Sequence, residues 1–287
     1  MSPASTEQFL LEQYIGHPAS QLQDLRKALY QSVFGCGHLI TDTSAAAEGI
    51  RREAAEAGPC SREIEALDGP WSRVHLGVLA DGLTPETLSR MFARSAAMPH
   101  GDADALQEKL TVLRRLIRSG ALPYSPAEAD AELDDWRKNG FPACRHSEEY
   151  RAAYRPAYRV LHRTYVRLLP LLAAIDRALA ENPRVLLAIE GGAASGKSTL
   201  ADLLTAIYPD TALFHADDFF LRPEQRTAAR YAQPGGNLDR ERLETEILIS
   251  LSRGENPEYR PFDCHIGRLG APMRVSAAPV TVVEGSY

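Results

Sequence analysis

Nine consecutive residues carry the strongest chemical signal in the chain: Gly191, Gly192, Ala193, Ala194, Ser195, Gly196, Lys197, Ser198 and Thr199. Through Ser198 they fit G-x-x-x-x-G-K-[ST] in full, the spacing of a phosphate-binding loop. Small residues let successive backbone N–H groups turn inward around a phosphate, and a helix starting there adds positive potential. Lys197 has the length to reach β- and γ-phosphates, and the Ser198 hydroxyl can ligate Mg²⁺. ATPases, GTPases and small-molecule kinases all share such a loop, so by itself it does not name the reaction. The competing reading, an inert glycine-rich turn, does not account for the apolar run before the loop and the amphipathic stretch after it.

Carboxylates follow at suggestive places. His215-Ala216-Asp217-Asp218-Phe219-Phe220 puts two acids just after an apolar run. If that run is a strand of an open α/β sheet, its C-terminal end faces the ligand crevice. A carboxylate there can take a proton from an attacking hydroxyl as a phosphoryl group moves, and Asp217 is the candidate base. Its plainer alternative is to cap a turn. Val282-Val283-Glu284-Gly285 ends a third run with an acid, where a carboxylate ligand of Mg²⁺ would stand. Ser198 and Glu284 are thus the candidate metal ligands.

The elements that must position these residues are legible after Pro183. Val185-Leu186-Leu187-Ala188-Ile189 is a continuous apolar run, as in a strand buried on both faces. Residues 212–215 and 280–283 make a second and a third strand. Residues 200–207, and Leu243, Ile247 and Leu251 ending at Gly254, supply helix faces between them. Alternating strands and helices imply parallel βαβ units. Residues 183–287 are read as an α/β P-loop domain, a partial parallel sheet with flanking helices.

Residues 1–182 are read as a separate, mostly α-helical domain. Leu22, Leu25, Leu29 and Val33 form one helix face; Leu106, Leu110, Leu113 and Ile117 form another that stops at Gly120. Ser125-Pro126-Ala127-Glu128 opens a helix as a capping box with proline at its first position, and Gly140 closes it. Val74–Val78 alternates like one short strand. Residues 156–180 continue as a long helical pattern that Pro170 should kink or split.

Taken in order, GGAASGKST, ADDFF, PGGNLDRERL, YRPFDCH and VVEGSY resemble the uridine kinase and phosphoribulokinase family of P-loop kinases, over residues 185–287. The ordered set is far more specific than any one piece. The resemblance implies that Asp217 is the catalytic base, that Asp239 holds ribose hydroxyls of the acceptor, and that Phe262 and His265 contact its base. It implies that Glu284 stands near the metal. The spacing in Phe262-Asp263-Cys264-His265 is shorter than in the family. Family members also continue past the E-G motif into further strands and an arginine-bearing lid, so a C-terminally incomplete kinase domain is expected here.

Bulk properties narrow the classes further. The 287 residues carry a formal net charge of -6, and neither part of the chain is basic, so no nucleic-acid surface is expected. No signal peptide opens the sequence and no apolar stretch is long enough to span a bilayer, so the expectation is a cytoplasmic protein without a membrane partner. Four cysteines do not make a disulfide framework. Cys36-Gly37-His38 and Cys144-Arg145-His146 could together form a tetrahedral zinc site, although that spacing is more often ordinary half-buried side chains. Tyr150, Tyr154 and Tyr158 interleave with Arg151, Arg155 and Arg159, either as lining for an anion pocket or as aromatic core beside a solvated basic face. The functional expectation is ATP-dependent phosphorylation of a hydroxyl on a small metabolite, a nucleoside such as uridine first. A sugar phosphate or pantothenate-like alcohol is the alternative acceptor, and a non-catalytic ATP-binding regulator the alternative class.

Overall fold

The computed structural model describes residues 5–36, 42–58 and 60–286. The chain forms two compact units, residues 1–174 and 175–287. In the first unit α1 (Thr6–Gly16), α2 (Leu22–Phe34) and α3 (Thr43–Ala57) precede β1 (Ile64–Ala66) and β2 (Trp71–His75). Then come α4 (Pro85–Ala96), α5 (Ala103–Arg118), α6 (Pro126–Lys138), α7 (Glu148–Tyr154), β3 (Tyr158–His162) and the single turn α8 (Arg163–Val166). The leucine repeats form helices as their spacing predicts: Leu22, Leu25, Leu29 and Val33 of α2, and Leu106, Leu110, Leu113 and Ile117 of α5, are all buried. Ser125 caps α6, accepting from the Glu128 N–H at 3.5 Å, with Pro126 at the first helical position.

Two expectations for this unit fail. The predicted strand Val74–Val78 is shifted: β2 ends at His75, and Leu76–Asp81 wind into a 3₁₀ turn. The long helix predicted over residues 156–180 does not form as one piece. Tyr158–His162 is a strand, paired antiparallel with β2 along its whole length, and only Leu169–Glu181 (α9) is a helix of any length. Aromatic Tyr158 and β-branched Val160 suit a pleated surface, and the ladder to β2 outweighs the apolar spacing that mimics a helix. Pro170 sits in the first turn of α9, where its missing N–H removes no helical bond. Tyr150 and Tyr154 therefore lie on α7 and Tyr158 on β3, not on one helical stripe.

Register explains an ion pair inside this unit. Glu65 lies directly opposite Arg73 across the β1–β2 ladder. Arg73 is 1% exposed, and its Nη1 donates to Glu65 Oε1 at 3.0 Å and to Gln13 Oε1 at 3.1 Å, while Nε donates to Gln31 Oε1 at 2.9 Å. Burial works against the Glu65 carboxylate, yet Arg73, with hydrogen bonds from His75 and Gln13, holds it at about 2. Beside this pair, His146 Nδ1–H donates to Asp24 Oδ1 at 2.8 Å, and its Nε2 accepts from the Tyr158 hydroxyl at 2.6 Å.

Burial pushes the His146 imidazole down to about 4, against the Asp24 contact that raises it. The imidazole is therefore neutral in the folded protein at pH 7. An unfolded chain binds a proton on this histidine near pH 6.5, and the folded chain does so only near 4, so acidification across that window favours unfolding. His146 should contribute about 3 kcal/mol of stability loss between pH 7 and pH 4. Urea unfolding at a series of pH values checks this. His146→Gln should flatten the slope in that window, and an unchanged slope would show the loss to arise elsewhere.

In the second unit β4 (Val185–Glu190) leads to α10 (Lys197–Ile207) and β5 (Thr211–His215). A 3₁₀ turn follows at Ala216–Phe219, then α11 (Ala228–Tyr231). The face of Leu243, Ile247 and Leu251 runs through α12 (Arg240–Arg242), a π-helical stretch at Leu243–Leu248 and α13 (Ile249–Ser252). Two short antiparallel pairs, β6 (Glu258–Tyr259) with β9 (Met273–Arg274) and β7 (Phe262–Asp263) with β8 (Arg268–Leu269), precede β10 (Val280–Gly285). The sheet is parallel in the order β4-β10-β5, an α/β arrangement with helices between its strands. Ala212, Phe214, Phe219, Ile247, Tyr259 and Val283 form its core on one side.

The expectation that β4 is buried on both faces is wrong. β10 takes the central position and is buried at every residue, whereas among the described residues β4 pairs with β10 alone and leaves Leu186 53% exposed. An apolar edge strand without an internal charge or proline invites pairing with another chain. The chain should therefore self-associate, and Leu186→Lys should reduce the associated fraction in sedimentation velocity without lowering the melting temperature. A chain that is monomeric before the substitution would refute this.

Candidate active site

The loop between β4 and α10 owes its shape to small residues. Ala194 and Gly196 have φ of 58° and 89°, so the backbone doubles back before Lys197 opens the helix. A Cβ on Gly191 would stand 2.7 Å from Ser195 Oγ, a contact that rotation of the serine side chain relieves. Lys197 Nζ donates to the carbonyls of Gly191 and Gly192 at 2.8 and 2.9 Å, and Ser286 Oγ donates to Gly191 O at 2.8 Å. The ammonium is thus held across the mouth of the loop.

The parallel register brings acids to the same edge. Glu284 lies opposite Ile189 of β4 and His215 of β5. Ser198 Oγ donates to Glu284 Oε1 at 3.3 Å, and His215 Nδ1 lies 2.6 Å from the same oxygen. Glu284 is 7% exposed, while His215 is about half exposed. His215 has no assigned role in the sequence reading; its place as the last residue of β5, level with Glu284, is what gives it one. Gly285 follows Glu284 because a Cβ there would run into the Ala216 side chain at the start of the acidic turn.

On that turn Asp217 is exposed and Asp218 is half-buried, accepting from the Tyr259 hydroxyl at 3.0 Å. Burial, and then the Asp218 charge, push the Tyr259 phenol upward, so it remains a donor. Asp239 is 1% exposed, and its N–H donates to Phe219 O at 2.6 Å, tying it to the acidic turn. Its Oδ1 accepts from the Arg242 N–H at 3.2 Å, capping α12; among the described residues its buried Oδ2 has no hydrogen-bond partner, with Arg222 Nε 4.0 Å away. Phe262 is buried on β7, which packs against the acidic turn, and the Arg226 guanidinium lies 5.6 Å from its ring centre. His265 stands apart, exposed in the turn between β7 and β8.

Oxygen donors of the kind Mg²⁺ prefers are present in Ser198 and Glu284. Mg²⁺ is ordinarily held by one or two carboxylates together with substrate phosphates and water, so a pair of this sort fits it. Among the described residues no group of three or more His, Cys, Asp or Glu could hold a metal by itself. For the zinc reading, His38 lies outside the described residues, Cys36 is buried against Phe92 O, and both nitrogens of His146 are engaged with Asp24 and Tyr158. Burial pushes the Cys36 thiol up to about 12, so it is a neutral thiol in the metal-free protein. Among the described residues no helix is long and apolar enough to cross a membrane.

No family profile matches this chain, and no curated protein matches it. Among solved structures, one described as a possible uridine kinase from Bacillus stearothermophilus is similar over 40% of this chain and 71% of its own length. The two are 21% identical over that span, with a TM-score of 0.33.

Proposed function

We propose that the second unit is an ATP- and Mg²⁺-dependent phosphotransferase acting on a hydroxyl of a small metabolite, with a nucleoside such as uridine as the acceptor. The observation that carries this reading is the hydrogen bond between Ser198 and Glu284, 86 residues apart in sequence, beside the loop that ends in Lys197. In this reading residues 191–199 bind the phosphates of ATP through backbone N–H groups, and Lys197 turns its ammonium from the loop carbonyls to the β- and γ-phosphates. Ser198 and Glu284 hold Mg²⁺, which supplies charge neutralisation on the phosphates. His215 orients the Glu284 carboxylate. Asp217 takes the proton of the attacking hydroxyl, and the Asp239 carboxylate accepts from acceptor hydroxyls next to Phe262. His265 reaches the acceptor only if the turn between β7 and β8 closes over it.

The test is ADP release from the full chain with ATP and Mg²⁺, with and without uridine, cytidine and simple alcohols. Lys197→Ala removes a charge-assisted contact worth about 1.5–3 kcal/mol and should weaken ATP binding by one to two orders of magnitude without changing the fold. Unaltered ATP affinity in that variant, or ADP release that no acceptor accelerates, would contradict the proposal.

A further inference from the structure

The first unit contains a hollow that nothing in the phosphotransfer reading uses. It has a volume of about 370 Å³, and Lys27, Gln31, His146, Tyr158 and Arg159 lie on its wall together with the apolar Phe92 and Val160. Two shallower hollows adjoin it around Pro156 and add Arg145, Arg151 and Arg155. A volume of this size suits a small metabolite rather than a chain segment.

The charge of this surface is opposite to that of the protein. Five cationic side chains, Lys27, Arg145, Arg151, Arg155 and Arg159, face two carboxylates, Glu53 and Glu148, in a chain of net charge -6. Glu53 is already committed to Arg159 at 2.5 Å. Lys27 is the most informative member. It lines two of the three hollows, and among the described residues its ammonium donates only to the Cys144 carbonyl, at 2.9 Å. A half-buried ammonium without a carboxylate partner is costly, and its position against open space offers a place for an anion to offset that cost.

The floor beneath it is built of His146, Tyr158 and Gln31, fixed in direction above the buried Asp24 carboxylate. Asp24 accepts from His146 Nδ1, so Nε2 accepts from the Tyr158 hydroxyl, and Gln31 Nε2 donates to the Tyr158 oxygen at 3.3 Å. Gln31 is held in turn by Arg73. Such a chain presents a rigid polar floor under a cationic rim, with an aromatic wall to one side. We infer that this hollow, together with the adjoining one that shares Lys27 and His146 with it, is a binding site for a phosphorylated small molecule, with Lys27 and, from the adjoining hollow, Arg151 as the principal contacts to its phosphate and Phe92 and Tyr158 beside its apolar part. The site lies wholly in the first unit, and the inference does not rest on the phosphotransfer reading.

Inorganic pyrophosphate is the probe, added to the full chain at matched ionic strength while amide hydrogen exchange is followed. Exchange should slow in residues 145–159 and in α2 around Lys27. Lys27→Met, which keeps the length of the side chain, should reduce the affinity read from this protection by about tenfold or more. Arg151→Gln, at an exposed position that cannot unfold the unit, should reduce it by a smaller factor. Lys197→Ala should leave protection of residues 145–159 in place while altering that of 191–199. Protection confined to 191–199, or protection of 145–159 that survives both Lys27→Met and Arg151→Gln, would overturn the inference.

Discussion

Asp217→Asn is expected to lower kcat by about 10²- to 10⁴-fold with a modest change in KM, because the amide keeps the shape of the side chain but cannot take a proton. Asp217 is exposed, the second residue of the turn that follows β5 at the C-terminal edge of the sheet. Its neighbour Asp218 accepts a hydrogen bond from Tyr259, so the proposed reading gives it a structural role instead. Asp218→Asn should therefore cost stability more than turnover. Asp239→Asn should chiefly raise the acceptor KM and scarcely alter that of ATP, since its carboxylate is the group assigned to acceptor hydroxyls. Steady-state kinetics on the four proteins, with ribo- and deoxyribonucleosides, separates these roles. Full activity in both Asp217→Asn and Asp218→Asn would remove the catalytic basis of the proposal, whereas activity lost only in Asp218→Asn would exchange the two roles. Equal use of deoxy acceptors would remove the role given to Asp239.

Arg73→Met should destabilise the first unit by about 3–5 kcal/mol, enough to consume much of the stability of an ordinary domain. The substitution leaves the Glu65 carboxylate largely buried without its cation, and also strips Gln13 and Gln31 of the guanidinium donors that hold them. Replacing both partners tells the two costs apart. Arg73→Met with Glu65→Leu removes the stranded charge, so most of the loss should return. Both tryptophans, Trp71 and Trp136, are buried in the first unit, so their fluorescence in a urea titration reports its unfolding specifically. A single variant as stable as the starting protein would mean that Glu65 is solvated or protonated in the fold.

The sequence by itself determined the parts whose physics is local. The phosphate-loop spacing, the strand before it and the helix after it are readable because glycine, alanine and serine are the residues that permit that backbone, and β4, the loop and α10 fall where the pattern puts them. The α2 and α5 faces, and the Ser125-Pro126 start of α6, follow likewise from 3.6-residue spacing and capping chemistry. Only the tertiary structure decided the rest. The insertion of β10 between β4 and β5 makes one apolar run central and the other an edge, and no composition distinguishes them. It also sets Glu284 against Ser198 and His215, contacts across 86 and 69 residues that depend on register alone. Tyr158–His162 carries a helical spacing but becomes a strand because β2 offers it a ladder. Arg73 and Glu65 meet because antiparallel pairing places them opposite each other, and the cationic hollow around Lys27 gathers residues from α2, α3, α7 and β3 that lie far apart in the chain. Periodicity records what a segment prefers by itself; which strand it pairs with, and in which register, is fixed by burial and hydrogen bonding to distant segments.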